Sequence, residues 1–200
     1  MIAKRGSSSN TSYTISGKTL DEINTEIDKK GPKDPNESSR YAGSCKGKID
    51  LAIGANDFEF ETKAGSSPLE VTAKLKGGSV TSSCTVTLPK LASEKALSAT
   101  ALKEWKRFLI ATSNHEDGHA DSYYALAVTL AGEIGAVTAT GTGKDEKTAR
   151  IAAQKAFVAQ LAKTYGGTTL DDRIKADTKA YDAKTKHGES QGAKLKTSIQ

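Results

Sequence analysis

The first half of the chain alternates between apolar and polar positions, and the second half repeats every three or four residues. SYTISG at residues 12–17 puts Tyr13 and Ile15 on one face of a short strand. TLDEINTEIDKKGP then predicts a helix with Thr19 as its N-cap, Leu20, Ile23 and Ile27 inward, and Gly31-Pro32 as its stop. KDPNESS reads as loop. KIDLAI, DFEFETK, LEVTAKLK and VTSSCTVTLP are patterned as antiparallel strands separated by glycine-rich or Ser-Pro turns. After Pro89 the period becomes helical and stays so.

From near Ser98 to about Gly135, the positions Leu102, Trp105, Leu109, Thr112, Glu116, His119, Tyr123, Leu126 and Leu130 trace one stripe of a long helix. A second helix, DEKTARIAAQKAFVAQLAK, is expected to bury Ile151, Val158 and Leu161. A third, LDDRIKADTKAYDAKTKHG, sets Leu170, Ile174 and Tyr181 on one face, opens on Asp171 and Asp172 and closes on Lys184 and Lys186, as the helix dipole favours. Gly188 suits the C′ position, which puts His187 in the last turn. The class is α+β. A flexible, serine-rich tail is expected at 1–11, a β-rich lobe with a small antiparallel sheet and one short helix at 12–92, and a mostly helical lobe at 93–200.

Composition narrows the function. At 36% hydrophobic and 26% charged residues the chain is an ordinary globular one, and no apolar run reaches the roughly eighteen residues of a membrane span. The net charge of +5 comes from scattered lysines without aromatic interleaving, so no nucleic-acid surface is expected. GTGK at 141–144 fails as a phosphate loop, because Thr138 replaces the first glycine and Asp145 follows the lysine. Cys45 and Cys84, the chain's 2 cysteines, form an isolated pair in the strand-rich half and are read as a disulfide. A bridge closing about 40 residues would contribute roughly 4 kcal/mol and argues for the periplasm or the cell exterior. MIAKRGSSSNTS carries no apolar signal segment, so export requires a signal outside this chain.

The chemistry concentrates at residues 115–119, HEDGH, which use two of the chain's 3 histidines. On a helix, His115 and His119 share a face one turn apart and can bind one zinc ion. Glu116, not a ligand, is placed to take a proton from a zinc-activated water. Gly118 costs about 1 kcal/mol of helix propensity and is read as making room beside the metal. The extended HExxHxxGxxH pattern is excluded by Ser122 and Ala125. Glu133 lies on the same helix, about 21 Å beyond His119 at 1.5 Å per residue. Glu146 and His187 therefore stand as candidates for the third ligand, and His187 is preferred because imidazole suits zinc. Asp182 or Asp121 is expected to orient a ligand histidine through its second nitrogen. Tyr181 is a candidate for stabilising the oxyanion, or else a core aromatic. A substrate can add as a strand at a sheet edge; residues 79–88 are nearest in sequence to the motif helix.

Tyr13-Thr-Ile-Ser-Gly17, Gly31-Pro32, Leu88-Pro89, Trp105, HEDGH and YDAKTKHGESQG at 181–192 together resemble the bacterial family of predicted secreted zinc-dependent proteases known as domain of unknown function 922. The likeness spans about residues 13–193. Its most specific parts are the HExxH and the set Tyr181, Asp182, Thr185, His187, Gly188, Gln191 and Gly192. It implies a zincin-like fold, export, and zinc held by His115, His119 and His187. Leu91 stands where an aromatic residue is expected after Leu-Pro. The expected activity is a zinc metallopeptidase acting on a peptide or protein, with Glu116 as general base. A non-catalytic zinc-binding envelope module, or a zinc hydrolase of non-peptide cell-wall amides, stands as the alternative. The oligomeric state is open.

Overall fold

The structure is a computed structural model that describes residues 1–33 and 39–199. Most of the KDPNESS loop lies outside the described residues. The elements run β1 (Ile2–Ile15), α1 (Leu20–Lys30), β2 (Ser44–Ala52), β3 (Phe58–Lys63), β4 (Leu69–Leu75), β5 (Ser79–Leu91), α2 (Ala99–Gly135), β6 (Thr138–Gly143), α3 (Glu146–Tyr165) and α4 (Thr168–Thr185). This is the α+β class, strands first and long helices after. No helix among the described residues is long and apolar enough to cross a membrane.

The chain forms two compact units that do not divide near residue 92. The first comprises Met1–Gly6, Ile49–Ser82 and Tyr123–Asp177; the second comprises Ser7–Lys48, Ser83–Ser122 and Thr178–Gln200. Both halves of the sequence therefore contribute to each unit.

In the first unit, β3, β4 and β6 form an antiparallel sheet with β4 in the middle. β6 corrects the expectation of helix throughout the second half. Its sequence, TATGTG, has few apolar side chains, yet it pairs with β4, Val71 opposite Gly141 and Ala73 opposite Ala139. The glycines have a packing reason: a Cβ at Gly141 or Gly143 would overlap the α3 backbone at Ala153 and Ala149. Helix and strand can approach closely only without those side chains. The close approach also sets which face of α3 is buried. Ala149, Ala153, Phe157 and Leu161 are inside, whereas Ile151 and Val158, expected to be buried, are 46% and 54% exposed. Phe157 meets Phe58 edge-on at 5.2 Å, and Val71, Val80, Leu126 and Leu130 complete the core.

In the second unit, α1 keeps its predicted form. Thr19 caps it by accepting from the Glu22 amide, and Leu20, Ile23 and Ile27 are buried. They pack with Ile15, Trp105, Phe108 and Leu195. Residues 2–11 are not a tail but most of β1. In the second unit the strand is held by polar side chains: Ser9 pairs with Thr85 at 2.9 Å and Thr11 with Thr87 at 2.8 Å, both 76 residues apart. A constant offset is the mark of a parallel pair, and a serine-threonine ladder reads as a tail because it has no apolar face. Strand order is β1-β5-β2, so β5 is central and β2 lies at the edge.

Candidate metal centre

The site lies wholly in the second unit. α2 turns His115, Glu116 and His119 inward, to 6%, 4% and 5% exposure; the stripe predicted this for Glu116 and His119, and His115, one residue off its line, is buried with them. The two imidazoles, one turn apart, have ring centres 4.8 Å apart. Burying three ionisable groups on one helical turn is costly unless they are paired or hold an ion.

Their partner comes from the end of α4. Asp182 Oδ1 lies 3.3 Å from His115 Nε2, 3.0 Å from His119 Nε2 and 3.9 Å from His187 Nδ1. The donor atoms of His115, His119 and Asp182 all lie within 4.8 Å of one another. Two ligands of one tetrahedral ion, each bound at about 2.1 Å, are roughly 3.4 Å apart. The separations from Oδ1 to the two imidazoles match that spacing. Among the described residues His119 Nδ1 is buried without a hydrogen-bond partner. Two imidazoles and a carboxylate are also a donor set suited to a divalent metal. The residues fit an ion.

His187 is near but outside this trio. The helix closes at Thr185, and Lys186, His187 and Gly188 follow with φ of 51°, 50° and 80°. His187 N donates to Asp182 O at 2.9 Å across this left-handed turn. The residue is therefore past the helix rather than in its last turn. Consecutive non-glycine residues in that region carry strain, which is found chiefly at functional sites. The ring stacks on Tyr41 at 5.2 Å, and its side chain is 46% exposed.

The signature that follows Tyr181 has a physical explanation. Tyr181 stacks on His115 at 5.3 Å and meets His119 edge-on at 4.6 Å. Gly118 admits it, since a Cβ there would overlap the phenol oxygen. The room left by that glycine is thus for Tyr181, not for the metal itself. Gln191 Oε1 lies 2.9 Å from His115 Nδ1, and Gln191 Nε2 donates to the Tyr181 hydroxyl at 3.1 Å. Sequence reasoning quoted Gln191 without giving it a role. Its place in the signature was the available signal.

Charge at the site follows burial and partners. Burial pushes the Glu116 carboxyl from 4.5 up to about 7, with the Asp182 and Asp117 charges adding to it and His115 opposing. Burial would also raise Asp182, but hydrogen bonds from His115 and His119 and nearby histidine charge outweigh it and hold that carboxyl well below its usual range. Burial would lower His115, yet its bonds to Asp182 and Gln191 leave it raised. Gly43 packs against Glu116, and a side chain at 43 would strike Oε1. A cavity of about 210 Å³ opens here, lined by Tyr41 to Lys46 opposite His115, Glu116, His119, Asp182 and His187.

Other expected participants lie elsewhere. Glu146 pairs with Arg150 on α3, and Glu133 pairs with Arg173. Asp121 is exposed, which leaves Asp182 as the carboxylate that faces the histidines. The expected disulfide is absent: Cys45 and Cys84 are both thiols, not bonded to each other. They stand on neighbouring strands β2 and β5, where the Cys45 thiol hydrogen-bonds to Cys84 while Cys84 Sγ donates to Ser8 Oγ at 3.4 Å. Burial and the adjacent Cys84 push the Cys45 thiol upward, so it stays protonated.

Two histidines, one turn apart on a buried helix face, and an aspartate from a second helix define an α+β protein with a candidate metal centre. The chain belongs to a family described as bacterial protein of unknown function (DUF922), which it matches over residues 10–188. No curated protein and no solved structure matches it.

Proposed function

We propose that this protein is a zinc metallopeptidase, and the observation that carries the reading is the convergence of His115, His119 and Asp182 beside the buried carboxyl of Glu116. His115 and His119 would hold the ion through Nε2, with Asp182 Oδ1 as the third donor. This replaces the three-histidine set that the sequence suggested. Zinc bound there would supply a Lewis acid for a carbonyl oxygen and bring the pKa of water toward 7. Glu116, with its own pKa near 7, is suited to accept a proton at neutral pH and return it to a leaving amine. Gly43 confines its carboxylate, so the proton acceptor has little freedom to move. Tyr181, engaged by Gln191, supports the ligands rather than an oxyanion.

The lining of the cavity favours an extended peptide. Ser44, Cys45 and Lys46 open β2, the edge strand, and face the same cavity as Glu116. Substrate main chain adding to an edge strand is a common mode of peptide recognition. The strand nearest the motif in sequence, β5, is central and cannot serve. The family resemblance also suggests export, and finding the tagged protein confined to the cytoplasm would overturn that part.

One observation favours a second reading. His187 Nδ1 is 3.9 Å from the oxygen shared by the other two histidines. Four protein donors would close the coordination sphere, as in structural zinc sites, and the protein would be a metal-dependent binding module. Zinc content and cleavage of a mixed peptide library, with and without chelator, distinguish the two. We expect one zinc per chain, and cleavage that chelator abolishes and zinc restores. Tightly held zinc with no cleavage of any peptide favours the module.

A further inference from the structure

We propose that Gln191, itself oriented by Tyr181, is a positioning residue that determines which nitrogen of His115 carries the proton and therefore which one faces the metal. The inference rests on the metal-centre reading above and assigns roles to residues outside the ligand set.

A neutral imidazole has one N–H and one lone pair, so a ligand histidine must keep its proton on the nitrogen away from the ion. For His115 that nitrogen is Nδ1, and Gln191 Oε1 is 2.9 Å from it. An amide is nearly symmetric in shape but not in chemistry: its oxygen accepts and its nitrogen donates. With Nε2 donating to the Tyr181 hydroxyl at 3.1 Å, the oxygen is left for Nδ1–H, and the Nε2 lone pair of His115 points toward the trio. A reversed amide would donate to Nδ1 and drive the proton onto Nε2, where it blocks an ion.

Gln191 is itself exposed, and the backbone of its turn is what fixes its position. It ends a one-turn 3-10 helix, Glu189–Gln191, between Gly188 and Gly192 at φ of 80° and 86°. Only glycine accepts both bends readily. Arg107 Nη1 donates to Gly192 O at 2.7 Å and ties the turn to α2. Gly188 abuts the His115 ring, and a Cβ at that position would lie only 3.0 Å from Cγ. Tyr181 covers the ring face at 5.3 Å. His119, by contrast, has no hydrogen-bond partner at Nδ1 among the described residues. The two ligand histidines are thus unequal: His115 has a side-chain amide at Nδ1 to set its tautomer, and among the described residues His119 does not.

Cobalt(II) serves as the probe, because its visible bands report the ligand field and its affinity can be measured against a chelator without any substrate. Gln191→Leu should weaken cobalt binding by about 10–100-fold, the usual effect of losing a ligand histidine's outer partner, and should change the visible spectrum. Gln191→Glu, which can only accept from Nδ1–H, should restore affinity and spectrum to near the wild type. Tyr181→Phe keeps the stacked ring but loses the hydroxyl, and should give a smaller loss than Gln191→Leu. If Gln191→Leu does not fold, the other two variants carry the test. Nitrogen-15 NMR of the cobalt-free, zinc-loaded wild type should find His115 protonated at Nδ1. Unchanged affinity and spectrum in Gln191→Leu, an equal loss in Gln191→Glu, or an unprotonated Nδ1 overturns the proposal. Cobalt bound without peptide cleavage overturns only the peptidase reading. A wild-type protein that takes up no cobalt overturns both.

Discussion

One helix serves both units, and its two halves use the same spacing for opposite ends. Between residues 123 and 135, α2 gives the first unit Tyr123, Leu126, Ala127, Leu130, Ala131 and Ile134, all buried. Between 99 and 122 it gives the second unit Trp105 and Phe108, but also buried Glu104, Thr112, His115, Glu116 and His119. Among the described residues every buried glutamate and histidine belongs to the second unit, while Ser79 and Ser82 are the buried polar residues of the first.

Glu104 shows what a purely structural buried charge looks like. Arg107 grips both its oxygens at 2.8 Å, the Lys196 amide adds a bond at 3.0 Å, and the carboxyl is held below its usual range. Glu116, more than three turns further along the helix, is pushed the other way, chiefly by burial. An interior that leaves one carboxyl clamped and another raised separates architecture from chemistry. Each unit has its own apolar core, and the chemistry is expected to sit in the second.

The largest effect should come from Glu116→Gln. It keeps shape and metal but removes the proton acceptor, so turnover should fall by at least about 10²-fold, the lower range for a general base. Metal content measured beside turnover decides it, and a variant that keeps half its activity breaks the division. Phe157→Ala tests the opposite side. Removing a fully buried aromatic should cost about 3–5 kcal/mol of stability, read by urea unfolding, while cobalt affinity of the folded protein stays within a factor of two or so. Lost affinity in that variant would couple what the comparison separates.

A third effect is smaller and depends on pH. The Glu116 carboxyl titrates higher in the folded state than its ordinary 4.5, at about 7. Its contribution to stability is thus complete below 4.5 and is lost as pH rises through 7. Asp182 has the opposite sign and acts only as pH falls below its ordinary 3.8, outside that window. His115 acts in the same direction as Glu116, so the variant must be compared with the wild type at each pH. Metal-free Glu116→Gln should therefore gain stability over the wild type between pH 5 and 8; parallel urea midpoints across that range would refute the raised carboxyl. Least of all, Arg173→Ala breaks a half-exposed pair with Glu133. It should cost no more than about 1 kcal/mol and leave turnover unchanged.

The sequence was most legible where a strong period met a specific residue type. The α2 stripe predicted the burial of Glu116 and His119, because a 3.6-residue repeat orients side chains whatever their chemistry. Thr19 and the apolar face of α1 were equally local. β1 and β6 were hidden, since Ser, Thr and Gly residues form strands only when a neighbour supplies the ladder and a helix approaches closely enough to exclude Cβ atoms. The same closeness chose Ala153 and Phe157 over Ile151 and Val158 for the inner face of α3.

The site divides the same way. Spacing of four residues on one helix was enough to pair His115 with His119, because a helix fixes that distance by itself. Which residues of the 181–192 segment would meet them depended on where a distant chain segment folds back. Only that packing put Asp182 between the imidazoles, left His187 at the margin on a left-handed turn, and set Gln191 behind His115. Local geometry is written in nearest neighbours along the chain; a shared centre is made by residues that become neighbours only when the core forms.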